Sequence, residues 1–209
     1  MAKLAEKPSA KTRILEAAVA VIREKGYAAS TVDELCAAAG VTKGAFFHHF
    51  PSKDALGLAA AGYWAERAKA LFEAASFHDH SDPLDRVLGY LDFRRALLAG
   101  PVATFSCLVG TMVQETYETH PALRAACERT MAGHAELVEA DIAEAMHRYG
   151  LTGAGWTARS LSLHIQAVVQ GGFILAKATG GADAAIQSID HLRRYVALLF
   201  GGRIGGTDT

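Results

Sequence analysis

The sequence has little cysteine: Cys36, Cys107 and Cys127 are odd in number and widely spaced. No disulfide framework follows from them, and without a Cys-x-x-Cys pair no zinc site does either. Proline is also rare, five in 209 residues, and none interrupts a helical pattern. Charged residues make up only 21% against 51% apolar, with a net charge of −1, which by itself says nothing for nucleic acid. No uninterrupted apolar run approaches the roughly 20 residues that span a bilayer. Lys3, Glu6, Lys7 and Lys11 precede any apolar run and Glu16 interrupts the first one, so no signal peptide is expected. No segment alternates as a strand, no Gly-rich loop succeeds one to cradle a phosphate, and no Ser/His/Asp spacing suggests a nucleophilic triad. An enzyme is therefore not expected, nor a cofactor, a metal or a membrane partner. A reducing cytoplasm is the expected compartment.

What is present is helix. Residues 1–9 read as a basic tail, and Lys11 to Lys25 places Ile14, Ala18, Val21 and Ile22 on one face before Gly26 closes it. Ser52 can cap a long helix to about Ala75. Pro83, Pro101 and Pro121 each suit a helix start, which predicts helices over 83–98, 103–118 and 121–149. After the loop 152–155, two more are expected over 157–179 and 182–200, with a Gly-rich frayed end beyond 201. The fold class is all-α.

The stretch from Ser30 to Phe50 organises the rest. Ser30…Asp33 and Thr31…Glu34 both have capping-box spacing. Leu35 and Ala38 share a face, Gly40 supplies a left-handed helix end, Val41 fills the turn, and Thr42 can cap a second short helix. Phe46 and Phe50, four apart, can anchor that helix and leave its other side outward. A short helix held by a turn against a scaffold helix has the geometry to enter a DNA major groove. The charge split agrees: residues 1–53 carry eight Lys/Arg against five Asp/Glu, leaving the excess acid in the remainder.

Thr31-Val-Asp-Glu-Leu35 and Ala39-Gly-Val-Thr-Lys-Gly-Ala-Phe-Phe-His-His-Phe-Pro-Ser-Lys53-Asp resemble the DNA-binding signature of the tetracycline-repressor (TetR) family, over about Lys11 to Leu58. The resemblance implies a homodimeric regulator, usually a repressor, that leaves its palindromic operator when a small molecule binds its other domain. The expected division is a helix-turn-helix domain over 10–55 and a ligand-binding, dimerising domain over 56–202. Thr31, Thr42, Lys43, Gly44, Ala45, Phe47, His48, His49 and Lys53 are the expected DNA contacts, Lys43, Lys53 and Thr31 on phosphate.

In the body, Leu161, Ile165, Val168, Gly172 and their neighbours form one broad apolar stripe, and Ile189, Leu192 and Val196 lie on another. Gly171-Gly172 in mid-helix is costly unless another backbone comes close. A four-helix dimer bundle is the expectation. A hydrophobic effector is expected among Trp64, Phe93, Phe105, Cys107, Met112, His134, Gln166 and Phe173, with Tyr63, Tyr90 and His164 as further candidates, where polar tips meet an apolar lining. Phe105-Ser-Cys-Leu-Val-Gly110 and Gln170-Gly171 resemble segments of a subgroup whose matching cysteine senses electrophiles. An alternative is therefore a sensor acting through Cys107, which requires an accessible thiolate. A DNA-binding protein without a small-molecule ligand is the other. His78-Asp-His80-Ser-Asp82 is a weak metal pattern in an expected loop.

Overall fold

The computed structural model describes residues 8–151 and 153–202. Most of the expected basic tail, Thr152 of the expected loop, and the chain end beyond Gly202 lie outside the described residues. Within them the secondary structure is α1 (Ala10–Lys25), α2 (Val32–Ala39), α3 (Lys43–His49), α4 (Lys53–Glu73), a 3-10 turn (Ser76–Asp79), α5 (Pro83–Ala96), α6 (Val102–Phe105), α7 (Leu108–Thr116), α8 (Pro121–Arg148), α9 (Ala158–Thr179) and α10 (Asp183–Leu199).

Local chemistry places most of these boundaries. Ser9 accepts the amide of Thr12, and Ser52 accepts that of Ala55. Asp82 accepts that of Leu84 ahead of Pro83. Thr157 and Ser160 close a reciprocal capping box at the start of α9. Gly40 and Gly180 stop α2 and α9 with left-handed backbones that a side chain would resist.

The expected helix over 103–118 is two helices. Ser106 adopts an extended backbone (φ −68°, ψ 158°), so the ladder stops at Phe105 and restarts at Leu108. Packing supplies the reason: Phe105 belongs with Phe173 of α9, whereas Leu108 and Met112 are buried in the other part of the chain. A continuous helix would hold all three in one rigid register.

The described chain forms two compact units. One runs through the N-terminal helices to Arg67 and takes in Leu108–Glu128; the other comprises Ala68–Cys107 and the chain from Arg129 onward. In the first, α1 packs against α2, α3 and α7 over a core that includes Ile14, Ala18, Ile22, Leu35, Phe46, Leu56 and Met112. In the second, α10 packs on α9 and α5 over Leu84, Leu88, Ile142, Ile165, Leu192 and Val196. Arg95–Asp190 at 2.7 Å and Arg193–Asp92 at 2.8 Å fasten α5 to α10 on their exposed sides.

Candidate functional site

The turn between α2 and α3 is built as its residue types require. Thr31 accepts the amide of Glu34 at 3.2 Å while Glu34 accepts that of Thr31 at 3.0 Å. Lys25 of α1 also pairs with the Glu34 carboxylate. The Lys25 hydrogen bond, then those from Thr31, hold Glu34 down at about 2. Leu35, Cys36 and Ala39 face inward, and Ala38, expected beside Leu35, is exposed. Thr42 accepts the amide of Ala45 and starts α3. Phe46 and Phe50 are buried 6.1 Å apart and pin α3 from beneath.

That anchoring decides what α3 presents. Thr42, Lys43, Gly44, Phe47 and His48 are exposed; Ala45 and His49 sit at the edge, half-buried. Phe47 is 51% exposed, an aromatic ring held outward on a polar helix. Lys43 pairs with exposed Asp33 at 2.7 Å, a solvent-screened contact easily exchanged for a phosphate. Donors, an apolar ring and an imidazole on one short helix suit phosphate, thymine-methyl and base-edge contacts.

Lys53 is placed differently from expectation. Its ammonium donates to the carbonyls of Tyr27, Ser30 and Ala28 at 3.0, 3.1 and 3.4 Å, and lies 4.5 Å over the Tyr27 ring. An ammonium has three donors, and all three are taken. Lys53 thus clamps the α1–α2 loop in this structure. The same loop is held from α7, where Glu115 accepts the amide of Ala28 at 2.6 Å. Gly26 makes room for this: a Cβ there would lie 2.2 Å from the Glu115 carboxylate. Nothing in the local sequence marks Glu115, because its partner is 87 residues away. Thr31 is exposed, but its hydroxyl is engaged by the cap.

The residues expected at a dimer interface are largely the chain's own core. Leu161, Ile165, Ile189, Leu192 and Val196 are all buried, and Val168 packs against them half-buried. Gly172 does meet another backbone, but that of α10: a Cβ would come within 3.3 Å of the Ala185 Cα. The exposed apolar side chains of these helices are others, Leu163, Ile174 and Leu175 on α9 and Tyr195 and Leu198 on α10. Amphipathic spacing found the stripes but not which of them turns inward.

The expected effector residues do not form one cluster. Trp64 and Met112 belong to the first unit, where Arg23 stacks 4.6 Å over the Trp64 ring and Met112 is fully buried. Phe105 and Phe173 meet at 6.3 Å in the second unit, and Cys107 is half-buried just ahead of α7. Phe93, His134 and Gln166 gather elsewhere in the second unit, around Phe72 and Tyr90. The His134 ring stands edge-on to Phe72 at 4.5 Å, Phe93 does so at 5.2 Å, and Gln166 donates to the Tyr90 hydroxyl at 3.2 Å. Sequence reading missed Arg94, whose Nε donates to the same hydroxyl at 2.9 Å and whose guanidinium carbon lies 4.5 Å over Phe72. His134 Nε2 is buried without a hydrogen-bond partner, which costs about 1–3 kcal/mol. Burial, with Arg94 adding to it, pushes His134 down to about 2, so the imidazole is neutral. Of the metal pattern, His78 Nε2 lies 3.0 Å from the Phe72 carbonyl, and Asp82 caps α5 and accepts from Tyr149.

Residues 14–60 match the family model of bacterial regulatory proteins of the tetR family, and residues 83–188 that of the C-terminal domain of LmrA/YxaF-like transcriptional regulators. The chain is 43% identical over 54 residues to the HTH-type transcriptional regulator YerO of Bacillus subtilis, 26% of this chain and 19% of that protein. It is 31% identical over 102 residues to the transcriptional regulator AcuR of Cereibacter sphaeroides, 49% of this chain and 47% of that protein. The matched stretches thus span less than half of each of these relatives. A TetR transcriptional regulator from Chloroflexus aurantiacus superposes with a TM-score of 0.77 at 26% identity, covering 90% of this chain and 94% of that one. No helix among the described residues is long and apolar enough to cross a membrane. With one model matching the capped helix pair and the other most of the helical body, the chain belongs to the TetR family of DNA-binding transcriptional regulators.

Proposed function

We propose that this regulator is a homodimeric repressor that reads a palindromic operator with α3 and releases it when a small molecule binds its helical body. The observation that carries the reading half is the outward face of α3. Thr42, Lys43, Gly44, Phe47 and His48 stand exposed over a buried Phe46 and Phe50, on a helix capped by Thr42. Phe47, 51% exposed, adds an apolar ring to the donors of Lys43 and His48 on that face. Such a reader acts on DNA in the cytoplasm.

Dimerisation is assigned to the apolar face that α9 and α10 leave exposed. Leu163, Ile174, Leu175, Tyr195 and Leu198 are 46–71% exposed, an unusual concentration of large apolar side chains on two adjacent helices. A two-fold pairing would cover them, giving an isologous contact and two reading helices per dimer. In this scheme DNA reading lies within 10–55 and effector binding and dimerisation within 56–202. The binding elements of the body are the aromatic and polar side chains around Phe72 and Tyr90.

Selection of bound duplexes from a random pool tests the proposal. The expected product is an inverted repeat with half-site centres about one helical turn, or a small multiple, apart. Selection of single, unpaired half-sites would refute the dimeric reader. Recovery of no preferred sequence would refute base reading by α3.

A further inference from the structure

Around Phe72 the hydrogen-bond donors outnumber the acceptors. The Tyr90 oxygen accepts from both Arg94 Nε and Gln166 Nε2, so its own proton remains to be given. Arg94 is half-buried, and among the described residues no carboxylate pairs with it. Its neighbours behave otherwise: Arg86 holds Asp141 and Glu144, Arg95 holds Asp190, and Arg193 holds Asp92. The Arg94 guanidinium instead lies against the faces of Phe72 and Tyr90, at 4.5 and 5.3 Å. Its paired Nη donors, which match a carboxylate two to two, are given no acceptor by the described residues. His134 Nε2 is buried without a partner on a ring perpendicular to the same Phe72 at 4.5 Å, and as the Nε2–H tautomer it is one more donor.

What this cluster lacks is an anionic acceptor, and what surrounds it is aromatic. Phe77 and Phe93 stand 5.9 Å apart, and Phe93 stands 5.2 Å from Phe72. We infer that the effector is an apolar organic acid whose carboxylate is held by the Arg94 guanidinium, with Tyr90 and His134 as supporting donors and Phe72, Phe77 and Phe93 against its hydrocarbon body. This narrows the hydrophobic effector expected from the sequence and rests on the ligand-released repressor proposed above. Arg94 sets the class, because a neutral amide of the same shape offers one uncharged carbonyl where a carboxylate offers two charged oxygens to the paired Nη donors. A desolvated polar partner left unmatched is what makes such sites discriminate.

The test is calorimetric titration of the full chain with benzoate, phenylacetate and hexanoate, each beside its primary amide. At least one acid should saturate and bind tenfold or more tightly than its amide. Arg94→Gln should bring that acid down to the level of the amide, and Arg94→Lys should keep part of the preference. Arg95→Gln, which alters the adjacent arginine on the α10 side, should leave it intact. Thermal melts of each variant establish that the fold survives. Three equal acid–amide pairs, or a preference that persists in Arg94→Gln, would overturn the assignment. Operator release scored with the same six compounds separates the two readings. Release by amides alone overturns the acid but leaves the repressor standing, whereas acid binding without any release supports the site and counts against the switch.

Discussion

Lys43 and Lys53 are ten residues apart, both at helix starts, and the structure uses them in opposite ways. Lys53 supplies three hydrogen bonds to the α1–α2 loop, so Lys53→Ala should lower the stability of the chain by roughly 1–3 kcal/mol. Lys43 makes one exposed ion pair, so Lys43→Ala should leave the melting temperature unchanged. On DNA the order reverses: Lys43→Ala should flatten the salt dependence of operator binding by about one unit. Paired melting and salt titrations check this, and a salt slope that only Lys53→Ala changes would contradict it. Glu34 gives a prediction in pH. Its carboxyl is lowered from an ordinary 4.5 to about 2 in the folded chain, by the Lys25 hydrogen bond first. A depressed carboxylate stabilises above the unfolded value and loses that contribution as pH falls through the folded one. The melting-temperature difference between the wild type and Glu34→Gln should therefore hold above about pH 4.5 and close as the pH falls towards 2. A difference unchanged down to pH 2 would mean that the pairing with Lys25 and Thr31 contributes nothing.

Among the elements, α9 and α10 carry two kinds of apolar side chain that a helical repeat does not distinguish. Leu192 is 3% exposed and Leu198 is 71% exposed, although both lie on α10 within two turns. Leu192→Arg would place an unpaired charge in the core and should abolish folding. Leu198→Arg touches no core and should yield a folded monomer in sedimentation, its circular dichroism unchanged and its tight operator binding gone. A Leu198→Arg variant that stays dimeric would place the interface elsewhere. The break at Ser106 belongs to the same scale. Helix propensity over 103–118 is continuous, and only the separate destinations of Phe105 and Met112 divide it.

For the molecule as a whole, the proposed switch is a question of which elements move with α3. The long helix α4 carries two glycines, Gly57 and Gly62, where a helix could bend. Packing separates the two: a Cβ at Gly62 would meet nothing within 4 Å, whereas Gly57 is crowded. A Cβ at Gly57 would lie 3.0 Å from both Leu123 and Tyr27, so Gly57 is a tight contact and not a free hinge. The α7 helix joins the N-terminal unit and holds its α1–α2 loop through Glu115, while α4 and α8 contribute residues to both units. An effector that releases DNA must favour the conformation that binds DNA poorly, and the coupling is reciprocal. Calorimetry of that effector with and without operator should therefore show weakening by the factor by which the effector weakens DNA binding. Glu115→Gln keeps the shape but removes the charge from the bond to Ala28, and should shrink that factor while leaving effector affinity in the absence of DNA unchanged. Equal effector affinities with and without operator would rule out the switch. Sequence alone determined the elements and the reading motif, since caps, prolines, left-handed glycines and the Phe46–Phe50 spacing act within a few residues of one another. Only the tertiary structure decided the role of Lys53, the inward turn of the stripe through Leu192, the break at Ser106 and the gathering of Arg94, Tyr90, His134 and Gln166. Those outcomes depend on partners tens of residues away, and a periodic pattern states that a face is apolar without stating what will cover it.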